Sequence, residues 1–278
     1  MAPAPPDTRP PVYRHRLSTR LWHGANAVAI FVLLMSGLMI FNAHPRLYWG
    51  KYGANNDRAW LQIGAVGERG IVQVGDARIP TTGVLGRWTD GDGRVQNRAF
   101  PSWATIPSYY SLADARRWHL AFAWLLVIGA AGFWLISLAN RHVTGDLLPT
   151  RKELAPRHLW QDIKDHARLR LPTGEAAATY NVLQKISYVG VLFLLLPLLV
   201  LTGLAMSPGM NAAWPWVLDL FGGRQSARSI HFLAMAGMVA FILVHVTMVV
   251  LAGPLNEIRS MITGRYRLPA ARHGETPR

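Results

Sequence analysis

Cysteine is absent from the 278-residue sequence. Its absence excludes disulfide bonds, cysteine-ligated iron–sulfur clusters, thiolate-bound haem and haem attached through a C-x-x-C-H motif. Any metal or redox chemistry must therefore use other ligands, and the ten histidines are the obvious supply.

Charged residues are also scarce: they make up 16% of the chain, whereas a soluble domain has about 25%. Four long stretches, residues 21–45, 118–140, 186–218 and 229–256, contain no Asp, Glu, Lys or Arg at all, and each exceeds the roughly 20 residues that a helix needs to cross a bilayer. We therefore predict an all-α integral membrane protein, a bundle of four transmembrane helices. The predicted spans are, in order, about 17–41, 118–139, 186–206 and 229–252.

Two long connections separate the spans within what we predict to be one domain, residues 1–278. Residues 42–117 form a loop rich in glycine, in which Ile71–Val74 has the pattern of a strand. Residues 140–185 form a charged connector between the second and third spans.

The distribution of positive charge predicts the orientation. The two tails and the connector 140–185 carry 17 Lys and Arg, against 12 on the other side. This favours both termini in the cytoplasm and loop 42–117 outside, as expected for a multi-pass protein of the bacterial inner membrane. The formal net charge of +14 lies in tails and loops, so we expect it to contact membrane lipid and not nucleic acid.

Four histidines lie within the spans, where ionisable residues are rare and a functional role is the default hypothesis. His231 and His245 are fourteen residues apart on the fourth span, so they project from one helical face about 21 Å apart along its axis. In the predicted topology, His23 shares a membrane level with His245, and His119 shares a level with His231. The sequence therefore predicts two histidine pairs.

Each pair can supply both axial ligands of one haem iron, because neutral imidazole is a common haem ligand and a helical bundle can hold the porphyrin. Zinc or copper is the competing interpretation. With the two levels about 21 Å apart, the four histidines cannot form one tetrahedral site, and a site of two histidines alone would be incomplete.

Other residues are candidates for haem contacts. Gly37 follows His23 by fourteen residues and would let a flat macrocycle approach the backbone, although glycine also serves ordinary helix packing. Arginines near the ligands could bind haem propionates or anchor the helix ends at the membrane surface. They are Arg20, Arg116, Arg117 and Arg228.

The sequence resembles a known family over nearly its whole length. The similarity rests on R-L-S-T-R-L-W-H at 16–23, R-R-W-H at 116–119, Y-N-V-L-Q-K at 180–185, F-G-G-R-Q-S-A-R-S-I-H at 221–231 and V-H-V-T-M-V at 244–249. These motifs resemble the prokaryotic four-helix di-haem cytochrome b subunits of formate dehydrogenase, nickel-iron hydrogenase and, most closely, thiosulfate reductase-type enzymes.

The resemblance implies two haem b groups with the same histidine pairing, His23 with His245 on the cytoplasmic side and His119 with His231 on the outer side. It also implies a quinone, menaquinone or ubiquinone, as exchangeable substrate near the inner haem, where Asn181 and Gln184 match the family element. Helix capping is the alternative role of these two side chains. It further implies a periplasmic redox partner, a molybdopterin oxidoreductase.

Loop 42–117 is much longer than the outer connections of the simplest members of that family. Loops of this length commonly have a function, and we predict a docking surface for the partner with Trp60, Trp88 and Trp103 as candidate anchors. An aromatic belt over the outer haem is the alternative. The remaining histidines of the loops, His44, His142, His158 and His166, are expected to be surface residues.

The function predicted from the sequence is electron transfer between the membrane quinone pool and a periplasmic redox partner. Two alternatives remain open. One is a self-contained oxidoreductase that reacts with a small molecule at the outer haem, and the other is a transporter or structural membrane protein whose histidines bind a metal or relay protons.

Overall fold

The computed structural model describes residues 11–141, 143–168 and 180–268. Four of its helical segments are long and apolar enough to cross a membrane, which confirms the predicted class of fold. They are α1 (Leu17–Asn42), α2 (Leu112–Ala139), the segment Val182–Met206, and α8 (Arg224–Ala252). All four begin before the uncharged runs, because their N-terminal turns contain charged residues such as Arg20, Arg117 and Arg228.

The third membrane segment has a break in its α-helical pattern. It consists of α4 (Val182–Gly190), a π-helical segment Val191–Leu195, and α5 (Leu196–Met206). Pro197 lies at the start of α5, so its ring meets the carbonyl region of Phe193 one turn earlier. Proline disfavours an α-helical turn at that position, and a π-bulge relieves the clash.

Shorter helices flank the membrane segments. They are α3 (Pro156–Ala167), α6 (Pro208–Ala213), α7 (Trp216–Asp219) and α9 (Pro254–Thr263), with a 3₁₀ turn at Ser102–Ala104 and a π turn at Val143–Leu147. Helix α8 ends at Ala252 because Gly253 has a φ of 105°, and Pro254 then occupies the first turn of α9.

The long loop contains β structure, which the all-α description leaves out. Four antiparallel strands pair in the order β2-β3-β4-β5, and two short strands form a separate hairpin. The bounds are β2 Arg46–Leu47, β3 Leu61–Val66, β4 Arg69–Val74, β5 Ala77–Pro80, β6 Trp88–Thr89 and β7 Val95–Gln96. The predicted strand-like stretch Ile71–Val74 lies within β4, where Ile71 faces Gly64 of β3.

The chain divides into two compact units, and each long membrane segment contributes to both. The first comprises Met1–Gly24, Ala130–Leu195 and Met238–Arg278, and the second Ala25–Gly129 and Leu196–Gly237. In the first unit, β1 (Val12–Tyr13) pairs with β8 (Arg265–Tyr266). In the second, the sheet packs on a core formed by Phe41, Leu47, Ile63 and Ala99.

Most of the apolar surface of the long helices is not covered by protein. At most 28% of the most apolar window of any of them is buried. Such large apolar faces would be costly in water, so they are the surfaces that contact lipid. The protein is therefore a multi-pass membrane protein.

Candidate functional site

The second compact unit brings together His119 of α2 and His231 of α8. Their ring centres are 6.3 Å apart, and the ring planes are inclined by 58°. The sequence predicted this pairing from topology.

The first compact unit brings together His23 of α1 and His245 of α8. Their ring centres are 6.2 Å apart with an inclination of 54°, and the ring of Phe241 stacks on His245 at 5.6 Å. The two pairs therefore have nearly the same geometry.

The separation of the rings fits one metal ion between each pair. A bond from a metal to an imidazole nitrogen is about 2.0–2.1 Å, and the ring centre lies about 1.2 Å beyond that nitrogen given ordinary C–N bond lengths. Two imidazoles on opposite sides of one iron should thus have centres about 6.4 Å apart. The observed 6.2 Å and 6.3 Å agree with bis-histidine ligation.

A metal site built only from protein ligands finds no support in residues 11–141, 143–168 and 180–268. Within these ranges, no group of three or more His, Cys, Asp or Glu side chains is arranged to hold a metal ion. Zinc and copper sites need more ligands than one histidine pair offers. A porphyrin supplies the four missing equatorial nitrogens, so haem fits these donors better than a free metal ion does.

Two hydroxyl groups that were not predicted from the sequence contact the histidines of the second unit. Ser36 Oγ lies 3.0 Å from Nδ1 of His119, and Thr202 Oγ1 lies 2.9 Å from Nδ1 of His231. Both hydroxyl-bearing side chains are fully buried. A repeated hydroxyl–glycine dipeptide at 36–37 and 202–203 is the sequence signal that could have revealed them.

The glycines of these dipeptides lie against the histidine rings. A Cβ atom at Gly37 would be 3.3 Å from Cε1 of His119, and one at Gly203 would be 3.6 Å from Cε1 of His231. Gly37, a predicted contact of the outer haem, thus lies beside His119, and the absence of its side chain leaves room for that ring.

The candidate arginines have protein partners in the structure. Arg20 Nε donates to the carbonyl oxygen of Met261 at 3.1 Å, and its guanidinium also contacts the Ile262 carbonyl. Arg117 pairs with Asp114 at 3.2 Å. Their role in binding haem propionates, like that of the exposed Arg116, stays a prediction.

Arg228 joins α8 to the start of loop 42–117. Its guanidinium donates to the carbonyl oxygen of Arg46 at 3.1 Å and to that of His44, and it lies 5.6 Å from the ring centre of Phe41. These contacts place a positive charge one turn before His231. A propionate contact of Arg228 also stays a prediction.

Asn181 and Gln184 form a capping box at the start of α4. The Asn181 side-chain oxygen accepts from Gln184 N at 2.9 Å, and the Gln184 side-chain oxygen accepts from Asn181 N at 3.2 Å. The capping bonds use the side-chain oxygens of Asn181 and Gln184 and fix both carboxamides. The side-chain NH₂ groups take no part in these two bonds. The next residue, Lys185, donates to Glu153 of the connector at 2.8 Å.

The connector carboxylate is held in its charged form. Burial alone would raise the pKa of Glu153, but hydrogen bonds from Lys185 and Thr150 outweigh it and lower the pKa below its ordinary value. This ion pair fastens the connector to the first turn of α4.

His15 is another residue that was not predicted from the sequence. It is buried in the first compact unit, its ring stacks on that of Tyr180 at 6.5 Å, and the Tyr180 hydroxyl lies 3.4 Å from its Nδ1. Tyr180 immediately precedes the capping box, so an aromatic and imidazole cluster lies beside Asn181.

The three candidate anchor tryptophans of the loop differ in position. Trp88 is buried and donates to the Arg98 carbonyl oxygen at 3.2 Å, so it has a packing role. Trp60 Nε1 donates to Ser229 Oγ at 2.9 Å. Trp103 is 76% exposed.

The remaining histidines lie outside the two pairs where the structure describes them. His44 stacks on Tyr48 and is partly buried, with burial first and then the charges of Arg228 and Arg46 lowering its pKa. His158 is exposed on α3. The expectations for His142 and for the side chain of His166 fall outside the described residues.

Paired histidines at a bis-imidazole distance, carried by long apolar helices, define a membrane protein of the cytochrome b class. A family model described as prokaryotic cytochrome b561 matches residues 14–264. The chain belongs to this family, and it is accordingly a membrane haem protein of electron transfer that binds b-type haem.

A relative among curated proteins is similar over part of the chain. It is the "Putative protein-methionine-sulfoxide reductase subunit YedZ1" of Azospira oryzae, 29% identical over 140 residues, which are 50% of this chain and 67% of the relative. No solved structure matches the chain.

Proposed function

We propose that the protein holds two b-type haems, one between His23 and His245 and one between His119 and His231. It transfers electrons between the quinone pool of a bacterial inner membrane and a redox partner outside the cytoplasm, with both termini in the cytoplasm. The observation that carries this proposal is the pair of ring separations, 6.2 Å and 6.3 Å, in two units of one membrane chain.

Bound haem would supply reversible one-electron transfer. The chain would supply the axial ligands, the glycines Gly37 and Gly203 that leave room for the rings of His119 and His231, and the apolar helices that exclude water. Such surroundings set the potential and the orientation of the cofactor.

The quinone end of the path lies at the start of α4. The capping box holds the carboxamide of Gln184 by its oxygen, and its NH₂ group is the donor that we assign to a quinone carbonyl, with Asn181 fixing its position. The buried His15 and the half-buried Tyr180 lie next to this box and add polar groups that can exchange protons.

The test is reduction of the purified protein by a short-chain ubiquinol or menaquinol, followed at the absorbance bands of reduced haem b. The informative variant is Gln184→Glu, which keeps the capping oxygen but loses the NH₂ donor. We expect quinol reduction to slow by at least about tenfold, the scale of one lost hydrogen bond to a substrate, with haem content and dithionite reduction unchanged.

Ser187→Ala is the matched control, because the Ser187 hydroxyl donates to the carbonyl oxygen of Leu183 within the same helix. Its quinol reduction should equal that of the wild type. Unchanged reduction in Gln184→Glu would contradict the quinone role of this residue, whereas wild-type haem that dithionite reduces and neither quinol reduces would contradict the link to the quinone pool.

The partner end of the path lies at the segment Trp49–Tyr52. Trp49 is 54% exposed and Tyr52 is 85% exposed, with the exposed Lys51 between them. The ring of Trp49 stacks on that of Trp60, with ring centres 5.8 Å apart. Trp60 donates a hydrogen bond to Ser229, which lies two residues before His231. A continuous line of contacts thus runs from an exposed aromatic surface to the helical turn that carries a haem ligand.

The partner that suits this surface is an oxidoreductase with an acidic face. Loop 42–117 has ten Lys and Arg against six Asp and Glu, and complementary charge guides transient redox complexes. The Azospira oryzae relative is named as a subunit of a reductase, which supports a partner of this kind, and the resemblance of the sequence motifs suggests that the partner contains molybdopterin.

A further inference from the structure

The most informative feature beyond the histidines is the pair of hydroxyl–glycine dipeptides. Ser36–Gly37 lies on α1 and Thr202–Gly203 lies on α5. Each dipeptide contacts one histidine of the His119/His231 pair, the hydroxyl at Nδ1 and the glycine at Cε1. The same arrangement, repeated on two helices, calls for a common explanation.

The Ser36 hydroxyl has a single hydrogen and several possible partners. Carbonyl oxygens of Val32 and Leu33 lie 2.7 Å and 3.2 Å from Ser36 Oγ, and Nδ1 of His119 lies at 3.0 Å. A carbonyl oxygen can only accept, so the hydrogen of the hydroxyl goes to the nearer carbonyl. The hydroxyl oxygen is then left to accept a hydrogen from His119.

Thr202 repeats this arrangement with the other histidine. Its Oγ1 lies 2.6 Å from the Leu198 carbonyl oxygen, 3.2 Å from that of Leu199, and 2.9 Å from Nδ1 of His231. Here too the hydroxyl hydrogen is taken by the preceding turn of its own helix. Both hydroxyls are therefore acceptors towards the imidazoles.

On this basis we propose that Ser36 and Thr202 are positioning residues that fix the hydrogen of His119 and His231 on Nδ1 and so direct Nε2 to the haem iron. The proposal rests on the proposed haem ligation. A hydrogen bond from the far nitrogen of a metal-bound imidazole also makes that imidazole a stronger electron donor. The two hydroxyls therefore lower the reduction potential of the haem that this pair would hold.

The other histidine pair provides an internal reference. In the part of the chain that the structure describes, no hydroxyl lies within hydrogen-bond distance of His23 or His245. Thr247, the nearest hydroxyl along α8, donates to the Leu243 carbonyl oxygen at 2.7 Å. The potential of the haem between His23 and His245 should not depend on Ser36 or Thr202.

The experiment is a redox titration of purified Thr202→Val, which replaces the hydroxyl with a methyl group of similar size. The potential of one haem should shift upward, while that of the other stays unchanged. The low-spin electron paramagnetic resonance signal of the same haem should also shift, since it reports the mutual orientation of the two imidazole planes. Ser36→Ala should shift the same haem in the same direction.

Thr202→Ser separates the hydroxyl from the methyl group. It should retain the wild-type potential and signal, even if Thr202→Val fails to hold its outer haem. Unchanged potentials and signals in Thr202→Val, or equal defects in Thr202→Val and Thr202→Ser, would overturn the proposal. A wild-type protein without haem would instead contradict the proposed function, so the two failures are distinguishable.

Discussion

At the residue scale, the sequence could predict those residues of the candidate site whose type is rare in a membrane helix. Histidines inside uncharged helices are uncommon. The fourteen-residue gap between His231 and His245 predicts one histidine at each of two membrane levels, and each can pair there with a histidine of another helix. Ser36 and Thr202 have no such signature, because hydroxyls and glycines are common in membrane helices, where they serve packing. Only the contacts at 3.0 Å and 2.9 Å single them out.

His44 shows how a residue that looks ordinary in sequence can be constrained by its surroundings. Its Nε2 is buried and has no hydrogen-bond partner among the described residues. Burial, followed by the charges of Arg228 and Arg46, lowers its pKa below the ordinary value. The folded protein therefore resists protonation of this side chain.

The consequence is a loss of local stability in acid. As the pH falls below about 6.5, the unfolded segment binds a proton that the folded one does not, so the free energy of unfolding decreases until the lowered pKa is passed. We expect hydrogen exchange of residues 44–49, corrected for intrinsic rates, to accelerate between pH 7.5 and pH 5.5. His44→Gln should remove most of this acceleration, and an identical pH dependence in the variant would contradict the assignment.

At the element scale, the four membrane helices were predictable because length and lack of charge are sufficient signals. The sheet of loop 42–117 was not, apart from Ile71–Val74, because its strands are two to six residues long and pair across turns. The π-helical segment Val191–Leu195 was not predicted, because a run of apolar residues has the same composition whether the helix is α or π.

The sheet is fastened to α8 by Trp60, which leads to a prediction about local stability. Trp60→Phe removes the donor to Ser229, whose hydroxyl is buried and donates to the Tyr48 carbonyl oxygen at 2.6 Å. Leaving a buried acceptor without its partner should lower the free energy of local unfolding by about 1–3 kcal/mol. Hydrogen exchange of β2 and β3 measures this loss.

Trp103→Phe is the control for that measurement, since Trp103 is 76% exposed. It should leave exchange of the same strands unchanged. If both variants accelerated exchange equally, or neither did, the hydrogen bond between Trp60 and Ser229 would not be among the contacts that stabilise the sheet against α8.

At the scale of the whole molecule, the charge distribution relates orientation to function. The exposed Lys51 lies between two exposed aromatic residues at the proposed docking surface. Lys51→Glu should slow oxidation of the reduced protein by ferricyanide, an anionic acceptor, several-fold at low ionic strength and less at high ionic strength. Stopped-flow absorbance of haem b measures the rate.

Lys152→Glu carries the same charge change in the connector 140–185, where the side chain is also exposed. It should leave the rate with ferricyanide unchanged. Equal slowing in the two variants would show that total charge, and not the Trp49–Tyr52 surface, governs the reaction.

The most direct test of the whole account is the number of haem groups per chain, measured by pyridine haemochrome absorbance against protein mass. We predict two haem b in the wild type and one in His231→Ala, with two retained in His158→Ala, whose exposed histidine lies outside both pairs. In His231→Ala, the remaining haem should keep its wild-type potential. Two haems in His231→Ala, or fewer than two in the wild type, would contradict the assignment of two histidine-ligated haems.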